Sequence, residues 1–350
     1  MLLGAGTVAV VLVAGTGVAA ATLKTEALDE PVFEGLLAQA PALVGGARDF
    51  TAYSQRIAEL TSNVSRVYDA VGRLPASPET DATRVLWVSD IHNNPQAFLV
   101  MRELARQFDV AAIVDTGDLT DLGSAVENRL LAPVSTFGVP YVYVRGNHDS
   151  EEVTQAFLEQ QENVVVLDDA EIVEVAGVRF AGTGDPLFTP TKRVETESEA
   201  NAETLRRAGE QVARAIERSD DPVHVALVHE PLMAPPLFGR VPLVLDGHVH
   251  ERRSRTADGT LELTQGSSGG AGLRTLVGEA PLPLQMSILH FDDDGALVAV
   301  DDVTVGGVGE RSVTVERRSA DSYLEQAEEV DEEELEPTEE PVPVGTAARR

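Results

Sequence analysis

The chain has 350 residues, enough for one large core or two modest ones, and no cysteine, which excludes disulfides, thiolate metal sites and cysteine nucleophiles. Its 27 basic and 58 acidic residues give a net charge of −31; residues 320–350 account for −9 of this, so the body still carries −22. Such a body offers no basic groove for long nucleic acid and is repelled by an anionic membrane surface.

Residues 1–23 contain no charged side chain. Their Val, Leu, Ala and Gly content matches the roughly 20 apolar residues that cross a bilayer, and a transmembrane segment or signal anchor is expected there. A cleaved signal peptide is the rival, because Ala19, Ala20 and Ala21 supply small cleavage-site residues. The basic start of a signal peptide is missing, which also leaves room for sequence upstream. Lys24 is the only nearby positive charge, so orientation is weakly specified. Residues 24–80 are expected to be a helical and linker region. Within them Tyr53, Ile57, Leu60, Val64, Val67, Val71 and Leu74 recur in alternating steps of four and three. This stripe suits a helix packed on the neighbouring domain better than a dimeric coiled coil. Residues 74–81, with Pro75 and Pro78, read as a linker.

From 81 to 319 the pattern is strand alternating with helix. Residues 85–88 form a short apolar strand running into Ser89-Asp90, and Asn94-Pro95 looks like an N-cap followed by proline at the first helical position. Phe98, Met101, Ala105 and Phe108 would line one face of that helix. A second strand, 110–114, ends in Asp115-Thr116-Gly117-Asp118, and a third, 141–144, ends in Arg145-Gly146-Asn147-His148-Asp149. A β-rich stretch (164–180), a polar loop (184–190) and an amphipathic helix with Leu205, Ala208, Val212 and Ile216 inward come next. Strands 223–228 and 241–245 lead into His229 and into Gly247-His248-Val249-His250. Strands at 261–264, 284–291, 296–305 and 312–316 complete a more antiparallel half, and 320–350, acidic and proline-bearing, is expected to be a disordered tail.

A turn containing Gly, Asn, His and Asp is ordinary turn chemistry when it stands alone. Here five of the seven histidines fall in four of five short segments, each segment after an apolar strand, where α/β folds collect their sites. Imidazole, carboxylate and amide oxygen without thiolate form a donor set suited to Mn, Fe or Zn.

The segments Asp90-Ile91-His92, Gly117-Asp118, Gly146-Asn147-His148-Asp149, His229 and Gly247-His248-Val249-His250, in this order, resemble the calcineurin-like metallophosphoesterase superfamily over roughly residues 84–319. In overall texture the chain is similar to membrane-attached bacterial members, and more narrowly to actinobacterial ones. The resemblance implies a four-layer α/β/β/α sandwich with two mixed β-sheets. It implies two divalent metal ions, one held by Asp90, His92, Asp118 and His250, the other by Asp118, Asn147, His229 and His248, with Asp118 as the bridge. In two-metal sites the ions, about 3.5–4 Å apart, clamp the attacking and leaving oxygens of an in-line displacement. By the same resemblance a shared hydroxide attacks the phosphoryl group of a small phosphorylated substrate. His148 would then assist the leaving oxygen, oriented by Asp121. Phosphomonoester, phosphodiester and nucleotide anhydride all fit these motifs, and the superfamily also includes a retromer subunit that keeps the fold without catalysis.

Other residues read as structural. Asp149 suits a helix cap, Arg145 a surface ion pair, His224 and His290 strand interiors, and residues 266–272 a plain glycine-rich turn. The catalytic domain of a membrane-anchored protein of this kind is expected on the outer face.

Overall fold

A computed structural model describes residues 82–190, 199–270, 272, 282–306 and 313–329. The apolar run at residues 1–23, the striped segment and linker at 24–80, and residues 330–350 lie outside the described residues. Among the described residues no helix is long and apolar enough to cross a membrane.

The strands follow the apolar runs. In chain order they are β1 (Thr83–Val88), β2 (Ala112–Asp115), β3 (Tyr141–Tyr143), β4 (Val164–Val166), β5 (Glu171–Val175), β6 (Val178–Gly182) and β7 (Val225–Leu227). They continue as β8 (Leu243–Asp246), β9 (Arg253–Ala257), β10 (Thr260–Thr264), β11 (Leu284–Phe291), β12 (Leu297–Val305), β13 (Val313–Ser319) and β14 (Glu328–Glu329). Two seven-stranded mixed sheets result, ordered β13-β12-β11-β1-β2-β3-β4 and β14-β9-β10-β8-β7-β6-β5. In the first sheet β1 to β4 run parallel and β11 joins β1 antiparallel. In the second, β6, β7, β8 and β10 run parallel.

Alternation along β1 explains the layering. Val85 and Trp87 point into the space between the sheets, where they meet Val225, Leu243 and Leu263, while Leu86 and Val88 point outward. That outer face is covered by α1 (Pro95–Phe108) through Phe98, Met101 and Leu104. On the far side α2 (Glu199–Arg218) lays Leu205, Val212 and Ile216 over Ala226 and Val244. The order is helix, sheet, sheet, helix. Asn94 caps α1 as expected, its side chain accepting from Gln96 N at 2.9 Å.

Because β1, β2 and β3 are parallel, as are β6, β7, β8 and β10, the loops that follow them open at their carboxyl ends. This positions the candidate residues, which were far apart in sequence, at one end of the sandwich.

The first ten residues of the segment expected as a tail belong to the framework. The ordered framework continues past Ser319 into α3 (Ala320–Gln326) and β14, which pairs parallel with β9. Ser319 caps α3 by accepting from Ser322 N. Tyr323 is buried, donates its hydroxyl to Asp302 and lies under the Arg318 guanidinium at 4.1 Å. This short segment clips the edge of the first sheet to the edge of the second.

Candidate metal centre

The centre is built on backbone held in an uncommon conformation. Asp90, His92, Asp118, His248 and His250 all have positive φ, between 47° and 68°, a region that non-glycine residues enter at a cost of about 1–3 kcal/mol each. Asp and His tolerate it best among side chains with donor atoms. Each of these tight turns aims a side chain back across the strand ends.

Two glycines let the loops touch. A Cβ on Gly146 would come within 2.2 Å of Asp118 Oδ1, and one on Gly247 within 2.0 Å of Ser89 Oγ and 2.6 Å of Asp90 Oδ2. The glycines beside the candidate ligands are therefore spacers between turns, and alanine at either would push a carboxylate aside.

Two buried triads result, Asp90–His92–His250 and Asp118–His229–His248; within each, the potential ligand atoms lie within 4.8 Å of one another. In the first, His92 Nε2 and His250 Nε2 face each other at 3.0 Å, and Asp90 Oδ1 lies 3.2 Å from His250 Nε2 and 3.9 Å from His92 Nε2. That buried oxygen takes no hydrogen bond. In the second, Asn147 Oδ1 is 3.1 Å from both His229 Nε2 and His248 Nδ1. Asp118 joins the two groups: its Oδ2 is 3.4 Å from His229 Nε2 and 3.7 Å from His92 Nε2, and its Oδ1 accepts from His148 N at 2.8 Å. Imidazole nitrogens pointing at each other around an orphaned carboxylate oxygen form a donor set that a divalent cation fits.

Electrostatics agree. Burial opposes charging His229, yet Asp118 outweighs it and holds the imidazole pKa well above its usual value. Burial likewise penalises Asp118, but His229 first, then His148 and His92, pull its carboxyl well below the usual range. His92 and His248 are raised in the same way against their burial, by Asp121 and Glu230 respectively. Without cations the site attracts protons to its imidazoles; cations would replace them.

Three rings have their second nitrogen turned to an oxygen, which favours one tautomer and aim. His229 Nδ1 donates to Thr116 O at 2.7 Å, so Nε2 faces the centre. His92 Nδ1 faces Asp121 Oδ1 at 3.2 Å, and His248 Nε2 faces Glu230 Oε2 at 2.9 Å, leaving Nδ1 toward Asn147. Glu230 was missed in the sequence. Its adjacency to His229 was the one available signal, and an acidic residue before Pro231 reads equally well as a cap.

Asp121 needs a correction. Its expected task was to orient His148 through its carboxylate, but that carboxylate faces His92 and also accepts from Asn93 Nδ2 at 3.3 Å. What accepts from His148 Nδ1 is the Asp121 backbone carbonyl, at 2.7 Å. The His148 ring stands edge-on to His92, with centroids 5.2 Å apart. Position 121 thus serves both rings, one by side chain and one by main chain.

Asp149 does not cap the helix after it. It is fully buried and accepts from Leu119 N, Thr120 N, Thr120 Oγ1, Tyr143 Oη and Gly146 N, lacing the Asp118 loop to the Asn147 loop. Arg145 reaches the exposed Glu151 at 3.8 Å and Asp168 at 3.7 Å, but it does more than pair at the surface. It is buried, with Nε on Gln155 Oε1 at 3.0 Å and a terminal nitrogen on Asp185 O at 2.8 Å, and it ties the Asn147 loop to loop 183–190. Within that loop Thr189 accepts from Asn147 Nδ2 at 2.6 Å and donates its own N–H to Asn147 O at 2.8 Å. The glycine-rich turn braces Asp90: Ser267 Oγ and Gly269 N both donate to Asp90 O. His224 and His290 are structural, His290 pairing with Asp301 at 2.9 Å and His224 Nδ1 accepting from Arg179 N.

A family model described as calcineurin-like phosphoesterase matches residues 83–252. No curated protein matches the chain in sequence. Among solved structures the chain is similar to an archaeal phosphodiesterase, at 16% identity over 63% of this chain and 99% of that one, with a TM-score of 0.38. It is also similar to a dimetal phosphatase from Danio rerio, at 12% identity over 69% and 99% with a TM-score of 0.45. A third likeness is to zinc-complexed Vps29 from Entamoeba histolytica, at 16% identity over 68% and 99% with a TM-score of 0.35. The matched segment runs from β1 through the last candidate ligand, His250, and encloses both triads. Residues 83–252 thus form a calcineurin-like phosphoesterase domain, and the chain that carries it is a metal-dependent phosphoesterase.

Proposed function

We propose that the protein hydrolyses a phosphomonoester or phosphodiester of a small phosphorylated substrate, with two divalent ions, Mn, Fe or Zn, as cofactors. Asp90, His92, Asp118 and His250 would hold one ion and Asp118, Asn147, His229 and His248 the other. The observation that carries the reading is the position of Asp118, one oxygen of which approaches ring nitrogens of both groups, at 3.4 and 3.7 Å. A carboxylate has the spare lone pairs for that role, and an amide at 118 would supply only one oxygen.

When bound, two such ions supply the positive charge that draws phosphate to an acidic body and lower the pKa of water. The chain does the rest. Asp118 Oδ1 fixes the main chain of His148, and Nδ1–H donates to the Asp121 carbonyl, so proton exchange at this ring runs through Nε2. His148 would give its Nε2 proton to the leaving oxygen as the P–O bond breaks, while the attacking water bonds its oxygen to phosphorus and releases a proton to solvent. Asp149 and Arg145, both buried, tie these loops to one another.

The test is a panel of mono- and bis-p-nitrophenyl phosphates, alkyl phosphates and nucleotides, assayed with Mn alongside elemental analysis. Turnover of esters by protein with two ions supports the proposal. Preference for nucleotides cleaved at the anhydride would reassign the activity to a pyrophosphatase, and two ions with no turnover on any compound would make the protein a scaffold. His148→Ala should keep both ions and lower turnover by about 10²–10⁴-fold, least for the nitrophenyl leaving group.

We further propose that the protein is a membrane-attached bacterial one, held through residues 1–23 with the catalytic domain on the outer face. The charge-free composition of that run supports it. Protease shaving of intact cells that left the domain uncut would argue against the outer face, and a chiefly soluble pool against the anchor.

A further inference from the structure

Apolar side chains that remain in water are unevenly placed on this acidic protein. Six large hydrophobic residues are exposed among the described residues: Leu99, Val126, Phe188, Leu232, Leu282 and Leu324. Leu99 lies on α1 and Leu324 on α3. Of the other four, Val126, Phe188 and Leu232 lie in segments that follow the parallel strands β2, β6 and β7, and Leu282 lies just ahead of β11, whose start pairs toward the carboxyl end of β1, at the end of the sandwich holding the two triads.

Each of the four is tied to a residue that shapes the centre. Phe188, 49% exposed, precedes Thr189, whose hydroxyl holds Asn147. Its ring lies against Gly123, where a Cβ would come within 2.9 Å of Cε2, two residues from the Asp121 carbonyl that accepts from His148. Val126 precedes Glu127, which accepts from the main chain of Asp121 and from Asn93. Leu232 lies two residues beyond Glu230, the partner of His248. A Cβ on Gly270 would come within 2.6 Å of Leu282 O, and the neighbouring Gly269 donates to Asp90 O. Scattered exposed hydrophobics need no explanation, but four of six around one centre do.

We propose that these residues form an apolar rim that receives the leaving group, and that the substrate is a phosphoester of an alcohol with an extended apolar body. Phe188 is the principal contact, because it lies beside the loop that positions the leaving-group histidine. The proposal rests on the phosphoesterase reading above and narrows it. The ions would recognise the phosphoryl group, as in any member of the class, whereas the rim selects what is attached to it. A sugar or amino-acid alcohol would leave the rim in water and gain nothing from it.

The experiment measures kcat/KM for methyl, butyl and octyl phosphate, whose alcohols are the leaving groups, below micelle concentrations, with Mn-loaded protein. Burying one methylene completely is worth about fourfold; half-exposed rim residues cover about half of it, so a rise of about twofold per methylene is expected over the first few carbons. Phe188→Ala should flatten most of that slope and Val126→Ser with Leu232→Ser part of it, with metal content unchanged. Calorimetric binding of octylphosphonate against methylphosphonate gives the same comparison without turnover. Equal values for methyl and octyl compounds in both assays would overturn the rim while leaving the phosphoesterase intact, as would a slope unchanged by Phe188→Ala. No turnover on any ester would sink the phosphoesterase reading instead, and the phosphonate affinities would still decide the rim.

Discussion

Glu230→Ala removes the oxygen that faces His248 Nε2 at 2.9 Å, and its consequence can be worked from the structure. A hydrogen bond between an imidazole N–H and a carboxylate is worth about 1.5–3 kcal/mol when shielded. Here the side chains are 15% exposed for Glu230 and 34% for His248, so solvent screening trims this to about 1–2 kcal/mol. That corresponds to a loss of roughly 5- to 30-fold in affinity for the second ion, close to the usual effect of deleting an outer partner. The first triad shares no atom with Glu230, so its ion should bind as before. Stepwise calorimetric titration of the metal-free protein with Mn separates the two events. Glu230→Gln keeps an acceptor oxygen and should recover most of the affinity, whereas Glu251→Ala, which removes an exposed partner of Arg253, should do nothing. If Ala and Gln variants lose affinity equally, the effect is charge and not aim. If both ions are lost together, or neither, the assignment of Glu230 to His248 is wrong.

Asp121→Ala should separate the two roles of that position: affinity for the first ion falls about tenfold because His92 Nδ1 loses its carboxylate, while the leaving-group dependence of turnover stays, since a backbone carbonyl still serves His148. Deleting the chain from Ala320 should lower the melting temperature by about 10 °C, because Tyr323 leaves a buried site worth about 3–5 kcal/mol; an unchanged melting curve would show that the clip does not hold the sheets. Burial raises the Asp185 carboxyl to about 6 from 3.8, so the folded state binds the proton more tightly than the unfolded one, and stability falls as pH rises between those values. In metal-free protein, Asp185→Asn should therefore gain up to about 3 kcal/mol over wild type above pH 6 and almost nothing below pH 4, as read from denaturant melts across the range; a gain independent of pH would refute the cause.

Much of the centre was legible because the groups that face a metal follow apolar strands directly. Once β1, β2, β3, β7 and β8 are read as strands, Asp90, Asp118, Asn147, His229 and His248 must emerge at their ends. Parallel order then gathers them. What stayed hidden is the layer behind them, since a partner such as Glu230 is chosen by direction and not by spacing. Asp121 shows the limit most clearly: the right position was singled out, but whether its side chain or its carbonyl meets His148 depends on a turn geometry that the residue name does not encode.

Residues 320–329 departed from the tail reading for a different reason. Composition averaged over residues 320–350 says that too little apolar surface exists to offset ordering, and for most of that stretch no single residue contradicts the average. Docking, however, is decided locally. Ser319 supplies a cap, Tyr323 supplies one aromatic ring, and the receiving surface is already built by Asp302 on β12 and Arg318 on β13, so the segment gains a buried ring and a charged hydrogen bond for a helix of seven residues. The entropy of starting that helix is reduced because β13 already holds its cap, Ser319. A boundary placed by composition falls where the charge density changes; the physical boundary falls where the last partnered side chain ends.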